Sequence, residues 1–251
     1  MRATEVGPRR FRLVVEYDGT DFAGFQYQPN LRTVQGEIEK AMEHVLRQKI
    51  TAYGAGRTDA GVHALGQVIS FTADTKLEIA RMAPALNSQL PTDIRIRRAD
   101  EADGGFHARF SALARRYVYV ALNRSEPTAL LRRYVWHIVQ PLDVDAMQRG
   151  AATLVGVHDF AAWANGTSEV TSTERELYEC RLRRKGAFVL LIVEGSGFLR
   201  GMVRNIMGTL AEVGLGRRSP NEMTRITESR NRAKAGRTAP ACGLCLVRVR
   251  Y

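Results

Sequence analysis

The chain has 251 residues, 45% hydrophobic and 25% charged, proportions that belong to a folded globular protein and exclude a disordered or fibrous one. Its 37 Lys and Arg against 26 Asp and Glu give a net charge of +11, which favours a phosphate-bearing polyanion over a small acidic molecule as partner. No stretch reaches the roughly 18 to 20 apolar residues of a membrane span, and "MRATEVGPRRFRLVV" lacks a signal peptide's apolar core, so the expectation is a cytoplasmic protein that does not engage a membrane.

In chain order, "RRFRLVVEYDGT" (9–20) alternates as a strand and ends in a turn. "TVQGEIEKAMEHVLRQ" predicts a helix with Thr33 as N-cap and Val34, Ile38, Met42 and Val45 inward. "GQVISF" (66–71) reads as a short strand. A helix is expected to start at Pro84 and stop before Pro91, because proline suits a first turn and restricts the residue before it. "DIRIRRAD" (93–100) follows as a strand.

From about residue 106 the pattern begins again. "RRYVYVALN" (115–123) is a strand, and "DVDAMQRGAATLVG" a helix capped by Asp143 and closed by Gly156. "AFVLLIVEG" (187–195) reads as a buried strand. "FLRGMVRNIMGTLAEVGLG" (198–216) is a long amphipathic helix with Leu199, Met202, Val203, Ile206, Leu210 and Val213 inward. The fold expected is α+β, a duplicated unit of sheet and helices divided into 1–105 and 106–251.

Cys180, Cys242 and Cys245 are too few for a disulfide framework. "CGLC" has the spacing of a redox or zinc pair, but it sits in the strand-like "APACGLCLVRVRY" with no second pair, so no metal is expected. "GSGFLRG" (195–201) imitates a dinucleotide fingerprint, yet Arg200 stands where the third glycine must be, which argues against a nucleotide cofactor.

One carboxylate stands out. In "YGAGRTDAGVHALGQVISF" (53–71), Asp59 lies among Gly54, Gly56 and Gly61, with Arg57 and His63 near it. It is either a turn residue bonded to its own backbone or a group presented by a glycine loop for chemistry. Arg200 and Arg204, four apart, would share a helix face and either meet solvent or hold a carboxylate ionised. Tyr117 and Tyr119 share a strand face, as core or as a platform on which an unstacked base could lie. The basic runs at 95–98, 132–133, 181–185 and 216–218 are dispersed, which suits a folded electrostatic surface. The polar, basic "ESRNRAKAGRTAPA" (228–241) is a solvated connector or an RNA contact.

Eight blocks, "EYDGTDFAGFQYQ", "TVQGEIEKAM", "GRTDAGVHALGQVISF", "LNSQLPTDI", "FHARFSALARRYVY", "GVHDFAAW", "GFLRGMVRNIMGTLAEVG" and "APACGLCLVRVRY", resemble in order the TruA family of tRNA pseudouridine synthases from about Phe11 to Tyr251. Phe25, more often Trp in that family, and Gly201, often bulkier, depart from its pattern. The resemblance implies the pseudouridine synthase fold: two similar ferredoxin-like subdomains with joined sheets and a central cleft. It implies isomerisation of uridine to pseudouridine at positions 38, 39 and 40 of the tRNA anticodon stem and loop, without metal or cofactor, by a homodimer. It places the catalytic carboxylate on Asp59, the base-stacking ring on Tyr117, the carboxylate's partner on Arg204, and RNA placement on Arg57. A catalytically inactive tRNA-binding module of the same fold is the alternative.

Overall fold

The computed structural model describes residues 7–166 and 171–251; residues 1–6, part of the stretch read for a signal peptide, lie outside the described residues. The described residues form two compact units, 7–113 with 246–251, and 114–166 with 171–245.

In the first unit β1 (Arg9–Tyr17) is followed by α1 (Val34–Leu46), the short β2 (Tyr53–Gly54), β3 (His63–Ala73), α2 (Ile79–Asn87) and β4 (Ile94–Glu101). The strand order is β4, β1, β3, with β2 on β3, every pairing antiparallel. This βαββαβ sequence with its first strand between the last and the third is the split ferredoxin-like motif. β1 alternates as its sequence dictates, with Phe11, Leu13, Val15 and Tyr17 buried and Arg10, Arg12, Val14 and Glu16 on the other face. Thr33 caps α1, its Oγ1 accepting from the Gly36 N–H at 3.2 Å. Val45 is only half-buried, because the helix turns Ala41, Met42 and Leu46 inward.

α2 differs from expectation. It starts at Ile79, five residues before Pro84, which lies inside it. Met82 and Leu86, four apart and fully buried, account for the earlier start, since their shared face packs inward only if the turn before the proline is helical too.

The second unit holds β5 (Ala114–Asn123), β6 (Trp136–Ile138), α3 (Val144–Ala152), β7 (Gly156–Asp159), β8 (Glu174–Lys185), β9 (Phe188–Gly195), α4 (Met202–Gly214), α5 (Glu222–Ser229) and the start of β10 (Leu244–Arg250). β9 lies between β5 and β8, antiparallel to both, as β3 lies between β1 and β2 in the first unit. β9 is half-buried rather than buried throughout: Val189, Leu191 and Val193 face the core while Leu190, Ile192 and Glu194 are only partly covered. α3 is capped by Asp143 through the Ala146 N–H, but ends at Ala152; Gly156, at φ +106°, opens β7 instead of closing the helix. The basic run at 181–185 forms the end of β8, with Leu182 inward and the arginines outward.

Candidate active site

Asp59 lies in the loop between β2 and β3, half-buried, with Arg57 exposed two residues before it. The segment that follows β1 braces this loop. The hydroxyls of Tyr17 and Thr58, both buried, lie 2.8 Å apart. The Phe25 N–H donates to the Thr58 carbonyl at 3.1 Å, and the Gly19 N–H donates to His63 Nδ1 at 3.1 Å. Two glycines permit this closeness: a Cβ on Gly19 would stand 2.0 Å from the Val62 carbonyl oxygen, and one on Gly24, at φ +109°, 3.0 Å from that of Thr58. No side chain larger than hydrogen fits at Gly19 without moving backbone.

The loop also closes on itself. The Val62 N–H donates to the Asp59 carbonyl at 3.1 Å around Gly61, whose φ of +77° is left-handed. At the other end, Nε2 of the fully buried Gln67 donates to the Gly56 carbonyl at 2.8 Å. Gly54 lies beneath the Phe25 ring, where a Cβ would meet Cε1 at 2.4 Å. The loop is therefore fixed from both flanks and through its own turn, which is the preorganisation a catalytic carboxylate needs.

His63 Nδ1 is also 3.1 Å from Asp18 Oδ1, which accepts from the Thr20 N–H and hydroxyl. With its proton on Nε2 the ring accepts from Gly19; protonated on Nδ1 it donates to Asp18. Sequence reasoning placed His63 near Asp59 but gave no role to Tyr17, Gly19 or Gly24. Their signal was the turn-rich "EYDGTDFAGF" after an alternating strand.

Tyr117 and Arg204 belong to the second unit. Tyr117 lies on β5 opposite Val193 of β9, 7% exposed, its ring edge-on to Phe198 with centroids 5.1 Å apart. Tyr119, two residues on, is fully buried with its hydroxyl donating to the Pro240 carbonyl at 2.7 Å, and burial pushes that hydroxyl's pKa upward. Both tyrosines are buried, Tyr119 completely, so the strand face they share is core. Arg115, at the start of the strand, donates from Nη1 to the Ser196 carbonyl at 2.7 Å.

Arg204 is in the first turn of α4 and its Nε donates to the Ala239 carbonyl at 2.8 Å, while the Ala239 N–H returns a bond to the Arg204 carbonyl. Arg200 is not its helical neighbour. Gly201, at φ +71°, starts the helix only at Met202 and leaves Arg200 exposed on the preceding turn, so the two arginines do not share a helix face. α4 is also less amphipathic than its sequence suggested, for the fully buried Asn205 and Thr209 lie among its apolar residues.

Asn205 explains the 228–241 segment. Its Nδ2 donates to the Trp163 carbonyl at 2.7 Å and to Asn165 Oδ1 at 2.9 Å, and its Oδ1 accepts from Arg232 Nη2 and the Thr238 hydroxyl. Gly208 lets the segment's backbone approach, since a Cβ there would fall 1.7 Å from the Arg237 carbonyl oxygen. The segment is a pinned strap in which Arg232 is a structural arginine, while Arg230, Lys234 and Arg237 stay exposed along it. In "CGLC", Cys242 occupies a 3-10 turn (Ala241–Gly243) before β10, so the two cysteines are not on one strand. Among the described residues no group of three or more His, Cys, Asp or Glu could hold a metal ion.

A family model described as tRNA pseudouridine synthase matches residues 13–111 and 151–251. The chain is 44% identical over 243 residues to tRNA pseudouridine synthase A of Thermoanaerobacter sp. (strain X514), covering 97% of this chain and 100% of that protein. It is 46% identical over 243 residues to the Brevibacillus brevis protein of the same name, with 97% and 100% covered. With the one from Halalkalibacterium halodurans it shares 44% over 237 residues, 94% of this chain and 90% of that one. The chain therefore belongs to the tRNA pseudouridine synthase family.

Proposed function

We propose that this chain isomerises uridine to pseudouridine in tRNA, at positions 38, 39 and 40 of the anticodon stem and loop, with Asp59 as its catalytic residue. The observation that carries the reading is near-full-length similarity, at 44–46% identity, to proteins named tRNA pseudouridine synthase A. The braced loop around Asp59 supports the assignment of the carboxylate, and the positions rest on the likeness of the eight sequence blocks.

The reaction cleaves the bond between ribose C1′ and uracil N1, rotates the base, and joins C1′ to C5, whose proton is lost as N1 gains one. Atoms and oxidation state balance without a second substrate, so neither metal nor cofactor is required. The nucleotide must leave its stack for the carboxylate to reach it. In this reading Asp59 acts as nucleophile or base, Arg204 pairs with the carboxylate, Tyr117 stacks on the freed uracil, and Arg57 places the RNA backbone. The net charge of +11 suits a polyanionic substrate. The working state is a cytoplasmic homodimer; among the described residues no helix is long and apolar enough to cross a membrane.

The test is Asp59→Ala in the full chain, with pseudouridine mapped in a tRNA transcript and tRNA affinity measured alongside. Loss of product with tRNA still bound is expected. Product formed at the wild-type rate would end the catalytic assignment.

A further inference from the structure

We infer that Tyr53, His107 and Phe110 form an outward aromatic platform on which an unpaired base of the RNA substrate stacks. The His107 ring centroid is 5.1 Å from that of Tyr53 and 4.5 Å from that of Phe110. Phe110 is 76% exposed and Tyr53 46%, whereas Phe11 and Phe71 of the same unit are fully buried. Exposing a phenylalanine forgoes the burial that normally recruits it.

The platform is not a floppy tip. Arg10 donates from Nε to the Phe106 carbonyl at 2.8 Å and from Nη2 to Ser70 Oγ at 3.1 Å, and Ser70 Oγ accepts from the Ala108 N–H at 3.0 Å. The Tyr251 hydroxyl donates to the Ala108 carbonyl at 2.9 Å. Around the tip, the Ser111 N–H donates to the His107 carbonyl and the His107 N–H to Ser111 Oγ, while the Arg109 N–H donates to His107 Nδ1. A ring presented on fixed backbone loses little freedom when a ligand covers it.

The surroundings select the occupant. The Arg109 guanidinium lies 5.5 Å from the Phe110 ring centroid. Burial first, then the charges of Arg10 and Arg109, hold the His107 pKa below its ordinary value, which favours the neutral ring and leaves it as an aromatic face. Flat rings with an arginine close to one of them fit a base with its phosphate, and stacking of this kind tolerates any base. Tyr53 lies on the strand that leads into the loop carrying Asp59, so a base held here is a second RNA contact on the same unit.

This proposal rests on the reading of the chain as a tRNA-modifying enzyme. Wild type, Phe110→Ala, Phe110→Leu and Phe110→Trp, all full-length, are titrated with an unmodified tRNA transcript at fixed salt. Ala and Leu are expected to weaken binding about 5- to 150-fold, with Trp near wild type and its added fluorescence quenched by RNA. Equal affinities throughout would overturn the platform, as would Leu binding like wild type, which would mean apolar area and not a π face matters. A variant that changes the oligomeric state while leaving tRNA affinity intact would assign the surface to a protein contact instead. Failure of the wild type to bind or modify tRNA would remove the underlying function, and the platform with it.

Discussion

The buried hydroxyls of Tyr17 and Thr58, 2.8 Å apart, tie the last residue of β1 to the residue before Asp59. Phenylalanine keeps the ring of Tyr17 in the core and removes only its oxygen, leaving the Thr58 hydroxyl to find another partner. Tyr17→Phe should therefore lower stability by about 1 kcal/mol. If the bond sets the direction of the Asp59 side chain, kcat should fall more than that small loss suggests, with KM nearly constant. Urea melts and steady-state kinetics on the same preparation separate the two effects, and a variant with wild-type kcat would show the bond to be structural only.

Gly19 makes a stricter demand on the same loop. An alanine Cβ would stand 2.0 Å from the Val62 carbonyl oxygen, a backbone atom, so one of the two loops must move. Gly19→Ala should cost on the order of 1 to 3 kcal/mol and most of the activity. Gly104, where a Cβ would meet nothing within 4 Å, is the control: Gly104→Ala should stay within about 0.5 kcal/mol of wild type. Comparable losses at both positions would refute the close-approach explanation.

These contacts mark what the sequence could and could not tell. Strands such as β1 and β5 were legible because alternate burial writes a period of two, and the α1 and α3 starts because Thr33 and Asp143 announce themselves as caps. Helix ends were misplaced where tertiary packing outweighed local signals, as at α2, where Met82 and Leu86 carry the helix past Pro84. The loop around Asp59 was visible in its glycines, but its bracing was not. Tyr17, Gly19 and Gly24 lie some 40 residues earlier, and nothing local specifies which backbone a glycine will touch. Arg204 shows the same limit: spacing suggested a pair with Arg200, whereas a left-handed Gly201 starts the helix between them.

Asn205 is the least legible of the important residues, one amide among the apolar positions of α4. It is fully buried and joins Trp163 and Asn165 to Arg232 and Thr238. Asn205→Ala strands several of these groups without water or partner, including part of a guanidinium, so a loss of about 2 to 4 kcal/mol is expected. Asn205→Leu should be no better, because the missing feature is polar satisfaction and not volume. Hydrogen exchange should show the amides of residues 232–239 losing protection first; unchanged protection there would separate the strap from the network.

Acid stability offers a test on β4. Asp100 accepts from Arg98 Nε at 2.8 Å and from Arg12 Nη2 at 3.0 Å. Partial burial raises its carboxyl pKa, but the two guanidiniums outweigh it and hold the group below the usual carboxylate range. A carboxyl harder to protonate in the folded than in the unfolded chain adds stability that is complete above the unfolded pKa of about 3.9 and is lost as pH falls through the lower folded value. With both partners partly exposed, the contribution is about 0.5 to 1 kcal/mol. Urea midpoints of Asp100→Asn should therefore lie below those of wild type from pH 7 to about pH 5, and the two curves should converge in stronger acid. Curves that stay parallel down to pH 2 would mean that Asp100 titrates alike in both states, and that its two arginines contribute nothing to the fold through its charge.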